Sequence, residues 1–387
     1  MAESPTTNMT PDLLQQPYFE HFGQEGAVHA EGVNDAVENR LGMLLHVPLE
    51  TLGRGVLLRS PRAGYGKTHV MERVRQRIGP GFEFVPLRPL DGAPDPAASI
   101  EDALRRLTRQ MPAAGGLTSL DFYSRQLLAW GLRPLVCSGE VPCQDRDAAA
   151  EALQKRPVET FDFHHPQAVT AHWTRENFDV LGPRLALEVS RATGCSLNQV
   201  SFWITSLFRF ASVPPEQAGR CGALMQDAVD GADAERFGAL LALLSRMSRV
   251  VLVVDDLEAV HGEPVAARKI AGFLATLRQE APRVDMVVAV NDDVWESAFL
   301  PALSGGLLDR LSEVVIRLGG MSQEAVVSLL AARGFRDPAE LAARMDLRPE
   351  DRYPRKALRM ANETEAVLHP PHTRVIGSPA PGGEEQA

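Results

Sequence analysis

Apolar runs that read as buried strands recur along this chain between stretches whose apolar residues fall at helical intervals. Val56-Leu-Leu58 leads through Arg59-Ser60 into a turn bearing glycines, and Lys67 to Ile78 continues as a helix that Gly79-Pro80 ends. Phe82 to Leu87 has apolar residues at alternate sites, the period of a strand. Arg249 to Val254 and Val284 to Asn291 are β-branched runs of the kind buried on both faces of a parallel sheet, and Val314 to Ile316 is a shorter strand. A parallel crossover needs about a dozen residues or more. Far more than that separates Leu87 from Arg249, and the surplus, 95–248, is mostly helical by period.

Within that surplus Ser99 is expected to cap a helix through Arg109. Leu120 to Trp130, Pro183 to Thr193, Leu197 to Ala211, Pro215 to Val229 and Asp233 to Met247 follow as helices. Pro183 suits a first helical position, Gly194 a stop and Ser196 a cap. Residues 131–182, rich in Pro and His, give no readable pattern. The aromatic stretch Val200 to Phe210 places Phe202, Trp203, Phe208 and Phe210 in a core. After Gly319-Gly320 the pattern is helical again. Ser322 caps Gln323 to Arg333, Gly334 closes that helix, Asp337 caps Pro338 to Met345, and a third helix follows Tyr353-Pro354. The expected division is an unstructured start (1–10), an α/β domain (11–318) with a helical insertion (95–248), a small helical lid (319–368) and an unstructured tail (369–387).

Two strand ends carry chemistry. In Gly64-Tyr65-Gly66-Lys67-Thr68 the glycines let successive N–H groups turn toward an anion. Lys67 supplies a cation for the β- and γ-phosphates, the Thr68 hydroxyl suits Mg²⁺, and the helix from Lys67 offers its positive end. The stretch resembles the phosphate loop of the P-loop NTPases, with Pro61 where the pattern opens with glycine. The run from Arg249 ends in Asp255-Asp256-Leu-Glu258. Asp255 is placed to hold Mg²⁺, directly or through water, and either Asp256 or Glu258 polarises the attacking water as general base. The short side chain of Asp256 makes slow hydrolysis an expectation.

Asn291 at the end of the next strand, a helix-like stretch from Asp292 to Leu303, then Gly305 to Arg310 and a short strand complete an order that resembles the AAA+ ATPases, in particular their origin-recognition and initiator-like clade. The resemblance covers roughly residues 35–95 and 248–366. It implies an AAA+ core with Asn291 as γ-phosphate sensor and Arg310, with Arg317 as a nearby rival, as the arginine finger that enters a neighbouring subunit's site. The lid's second sensor would be Arg355, ahead of Arg352, although Tyr353 stands where Asp is usual. The implied cofactors are ATP and Mg²⁺. Gly64, Tyr65, Gly66, Lys67, Thr68 and Arg355 would bind nucleotide, Thr68 and Asp255 the metal, and Asp256, Glu258, Asn291 and Arg310 would serve catalysis.

Charge and composition narrow the partners. A formal charge of −10 argues against strong sequence-independent DNA binding, which needs a basic surface. No apolar stretch nears the roughly 18 residues of a membrane span, and the first residues lack a secretory pattern, so a cytoplasmic protein is expected. Cys137 and Cys143 with His164 and His165 offer zinc-type ligands without zinc-type spacing, and reduced thiols are the expectation. The expected function is ATP hydrolysis by a ring or filament that assembles on nucleotide binding and switches or remodels a protein held by the helical insertion. A DNA-associated ATPase, initiator-like or transposition-helper-like, is a second reading, which the acidic balance disfavours. A slow-hydrolysing signalling switch is a third.

Overall fold

A strand with apolar side chains on both faces needs cover on both, and the three richest runs lie in the middle of one sheet. The strands are β1 (Gly55–Ser60), β2 (Phe82–Leu87), β3 (Arg249–Val254), β4 (Asp285–Asn291) and β5 (Val314–Arg317). Their order is β2-β3-β4-β1-β5, and every pairing is parallel. All residues of β1, β3 and β4 are buried, whereas the edge strands β2 and β5 are partly open. The computed structural model describes residues 22–23, 28–79, 81–87, 93–109 and 116–368. The expected unstructured ends, 1–10 and 369–387, lie outside these residues, as does Pro80 of the first helix stop.

The chain forms two units. The larger holds Ala36–Ala63 and Lys67–Leu318; the smaller holds the chain up to Asp35, Gly64–Gly66 and the chain from Gly319. In the larger unit the sheet's starting edge is locked by a buried ion pair. Arg249 Nε donates to Asp285 Oδ2 at 2.6 Å, and Asp285 Oδ1 accepts the Arg54 N–H at 2.9 Å. Asp285 thus joins the first residue of β3 and the residue before β1 to the start of β4. Gly53 belongs to the same edge: a Cβ there would lie 1.9 Å from the Val284 carbonyl oxygen, so only glycine fits.

The described residues between 96 and 244 form nine helical segments: Pro96–Leu107, Ser119–Ser138, Arg146–Lys155, Pro157–Thr160, Val169–Glu176, Phe178–Thr193, Leu197–Ser212, Arg220–Val229 and Ala234–Leu244. They share one apolar core with the sheet, running from Leu57, Val85 and Leu252 through Leu104 and Leu128 to Trp203 and Phe237. Trp203 is fully buried, and its indole N–H donates to the Arg236 carbonyl at 2.9 Å. Phe210 is buried, and Phe202 and Phe208 pack against the same core, so the aromatic stretch is structural. A polar tie joins the parts as well. Tyr123 on Ser119–Ser138 donates to Glu83 of β2 at 2.9 Å, and its oxygen lies 2.8 Å from Ser248 Oγ beside β3.

Several helix boundaries differ from the sequence reading, each for a local reason. Asp95 rather than Ser99 caps the first segment. Its carboxylate accepts the Ala97 and Ala98 N–H groups, and Pro96 takes the first helical position. Ser119–Ser138 runs past Trp130 through Gly131 and Pro134. Gly131 is a packing contact, since a Cβ there would meet Val189 Cγ2 at 3.1 Å. Pro183 lies inside Phe178–Thr193, where it has no N–H to offer the carbonyl of exposed Asp179. Gly194 does end that helix, in a left-handed conformation. Arg220–Val229 starts later than Pro215 because Gly219, at φ 87°, turns the chain just before it.

The smaller unit contains Gln323–Ala332, Pro338–Arg344 and Pro354–Leu368. Ser322 Oγ accepts the Ala325 N–H at 3.2 Å, the expected cap. Asp337 occupies the expected cap position, but at φ 42° its side chain makes no capping bond. The core of this unit, with Val326, Leu330, Leu341 and Leu358, also takes in Ala30 and Val33 from far earlier in the chain. Among the described residues no helix is long and apolar enough to cross a membrane.

Candidate functional site

In a parallel sheet the strand ends that carry side chains into loops all face one way, so neighbouring strands bring their last residues together. Here β4 lies between β1 and β3, with Ser60 paired to Asn291 and Val254 to Val288. Three segments far apart in sequence therefore converge at one edge. Lys67, which opens the helix Lys67–Ile78, is buried, and its Nζ donates to Asn291 Oδ1 at 2.5 Å and to Ser60 Oγ at 3.1 Å. Ser60 Oγ in turn donates to the Arg62 carbonyl at 2.8 Å. The other end of the Asn291 amide, Nδ2, donates to Glu258 Oε1 at 3.0 Å. One buried amide thus links the lysine of the glycine-bearing turn to a carboxylate of the acidic turn.

Thr68 and Asp255 form a second contact: the Thr68 hydroxyl donates to Asp255 Oδ2 at 2.6 Å. Burial pushes the Asp255 carboxyl above the usual range, and the charge of Asp256 adds to this. The Thr68 hydroxyl, the Asp256 N–H and the Lys67 charge pull the other way. Both groups are hard oxygen donors of the kind Mg²⁺ selects, and Mg²⁺ bound there would neutralise a carboxylate that burial disfavours as an anion. The donor set fits the metal.

The neighbouring Asp256 has a different character. It is exposed and takes φ 59° and ψ 43°, a left-handed backbone uncommon outside glycine. That turn starts the short helix Leu257–Val260, which buries Leu257 and Val260 and leaves Glu258 as the carboxylate bonded to Asn291.

Arg310 lies elsewhere. It is exposed on the short helix Gly305–Leu311, and its carbonyl accepts from Arg278 at 2.6 Å. A Cβ on Gly55, the first residue of β1, would lie 2.4 Å from that carbonyl oxygen. Arg310 is therefore at the starting edge of β1, roughly 16 Å from Ser60 at about 3.3 Å per residue. Arg317, by contrast, pairs with Arg59 in register and ends β5 at the same edge as Asn291.

The smaller unit contains the centre of the glycine-bearing turn. Gly64 and Gly66 have φ of 93° and 94°, the left-handed values that favour glycine. The Gly64 carbonyl accepts the Arg355 N–H at 3.1 Å, and the Arg355 side chain lies over Gly64, where an added Cβ would be 2.6 Å from Arg355 Cβ. Tyr65 is buried, stacks on Tyr353 with ring centres 4.7 Å apart, and its carbonyl accepts from Asn34 Nδ2 at 2.9 Å. Tyr353, the departure from the family pattern, thus has a specific partner.

Sequence reasoning missed Ser60, Asn34 and Arg59. For Arg59 a signal existed, namely one arginine in a strand otherwise without charge. The zinc-type side chains do not assemble: Cys137 and Cys143 are exposed, and His164 Nε2 lies 3.2 Å from the Ala211 carbonyl. Compared with protein-family models and with curated proteins, the chain matches none.

Proposed function

We propose that this chain is a P-loop ATPase of the AAA+ type that binds Mg²⁺-ATP at the ends of β1, β4 and β3. The observation that carries the reading is the Asn291 amide, which contacts Lys67 on one side and Glu258 on the other. A phosphate-binding cation, a neutral water-orienting amide and a carboxylate base are the parts that phosphoryl transfer to water requires. Lys67 leaves Asn291 for the β- and γ-phosphates, and the turn's N–H groups take the remaining phosphate oxygens. Thr68 and Asp255 hold Mg²⁺, which when bound offsets charge on the phosphates. Glu258, fixed by Asn291, accepts the proton of the attacking water. Asp256 serves the turn that delivers Glu258. The resemblance adds Arg355 as a second sensor.

The starting-edge position of Arg310 supports action on a second subunit, because no arginine side chain spans the distance to its own chain's Lys67. The assembly this implies, a ring or filament formed with ATP, would act on a protein partner through the helical insertion.

Calorimetry on the purified chain tests the site. A charge-assisted contact contributes about 1.5–3 kcal/mol, so Lys67→Ala should weaken ATP binding by one to two orders of magnitude. Equal affinity in both proteins would remove the assignment. In the same preparation Glu258→Gln should bind ATP without turnover while Asp256→Asn still hydrolyses it.

A further inference from the structure

Burying a guanidinium is unfavourable unless a carboxylate answers it. Arg59 is the one charged residue of β1 and is 8% exposed. Its Nε donates to Asp292 Oδ1 at 2.6 Å, a terminal nitrogen reaches Glu296 Oε1 at 3.4 Å, and its guanidinium carbon lies 5.8 Å from the centre of the Trp295 ring. All three partners belong to the helical stretch that begins at the residue after Asn291. That stretch is irregular: Asp292–Val294 passes into a π turn over Trp295–Phe299 before Leu300–Ala302. A π turn widens the helix by one residue and is recurrent at functional sites.

Asn291 is thereby held from two directions. Strand pairing to Ser60 fixes its backbone from the β1 side, and the Arg59–Asp292 bond fixes the residue next to it. The amide needs such definition, because it contacts Lys67 with its oxygen and Glu258 with its nitrogen, and a rotation about the side chain loses one or both. Arg59 itself is no phosphate ligand, because its charge is answered by Asp292 and Glu296 on the helical stretch after β4.

We propose that Arg59 is a positioning residue for Asn291, acting through Asp292 to hold the amide between Lys67 and Glu258. The inference rests on the ATPase reading above and concerns the hydrolytic step within it. An arginine that only anchored a helix to the sheet would affect stability and leave the chemistry alone.

Asp292 is partly exposed, with 26% of its side chain accessible, so variants there disturb the core less than changes to Arg59. Full-length Asp292→Asn, Asp292→Glu and Arg59→Lys would be compared with the wild type for ATP affinity by calorimetry, for kcat and for thermal midpoint. Misplacing a reacting group by about 1 Å costs on the order of 100-fold in rate. Asp292→Asn and Arg59→Lys should therefore lower kcat by about 10- to 100-fold while ATP affinity stays within about threefold. Asp292→Glu, which keeps the carboxylate, should recover much of the loss. Wild-type kcat in Asp292→Asn overturns the proposal, and so does a fall in kcat matched by an equal fall in ATP affinity. A wild type that binds no ATP defeats the ATPase reading itself, whereas a wild type that hydrolyses ATP beside fully active variants removes only the role of Arg59.

Discussion

Asp255 is a carboxylate placed where burial opposes its charge. Its raised pKa means that the folded protein holds the proton more tightly than the unfolded chain does. Between the unfolded and folded values the native state carries more bound proton, so stability falls as pH rises through that interval and the penalty persists at neutral pH. Asp255→Asn removes the buried charge. In the absence of ligand this variant should unfold at a higher temperature than the wild type at neutral pH, with the difference shrinking at acid pH, and it should lose Mg²⁺-dependent ATP binding. Thermal melts at the two pH values decide the matter, and a variant less stable than wild type at neutral pH speaks against it. Lys67, Thr68, Asp255 and Asn291 were legible in the sequence because strand ends and a glycine-bearing turn fix where they fall. That Glu258 rather than Asp256 meets the Asn291 amide was not, since it follows from the left-handed backbone at Asp256, which no local pattern announces. Arg59 escaped notice because its meaning lies in Asp292 and Glu296, far along the chain.

At the scale of elements the strands were read almost to the residue, while helix boundaries in the insertion were not. Apolar runs report burial directly. The expected helices stop at Trp130 and start at Pro183, yet Gly131 answers to packing against Val189, and Pro134 and Pro183 lie inside helices. Residues 131–182 had no legible pattern, and five helical segments lie wholly or partly within that stretch: the end of Ser119–Ser138, Arg146–Lys155, Pro157–Thr160, Val169–Glu176 and the start of Phe178–Thr193. The tie between insertion and sheet is also tertiary. Burial raises the Glu83 carboxyl pKa, and the Tyr123 hydroxyl bond opposes that rise. Tyr123→Phe keeps the ring and removes the donor. It should lower the stability of the chain by about 0.5–1.5 kcal/mol, the net worth of a typical hydrogen bond, read as a lower urea midpoint. An unchanged midpoint means that the apolar core alone holds β2 to the insertion.

For the whole molecule, the shared core settles what the insertion is. Leu104, Leu128, Trp203 and Phe237 pack in the same cluster as Leu57 and Leu252 of the sheet, so the insertion is part of one folding body. Apolar periodicity pointed to helices between β2 and β3, but nothing in it told that Ala30 and Val33 belong to the core of the smaller unit. Assembly is the property most open to test at this scale. With Arg310 at the starting edge of β1, Arg310→Ala should keep ATP binding and lose most turnover, by about 10³–10⁵ if it acts as such fingers do elsewhere. Mixing it with Lys67→Ala should restore part of the activity, since some interfaces then join an intact site to an intact finger. Full turnover by Arg310→Ala, with light scattering showing no growth in mass in ATP, removes the assembled reading.

The strand order also sets a timetable. Among the described residues β1 is hydrogen-bonded to β4 and β5 and to no strand nearer in sequence, with Gly55 facing Met286. During synthesis at about 5–20 residues per second, roughly ten to fifty seconds separate the appearance of β1 from that of its first partner. Throughout that interval Val56, Leu57 and Leu58 lack the strand partners they have in the folded protein, so these apolar residues stay exposed to other pairings until β4 is made.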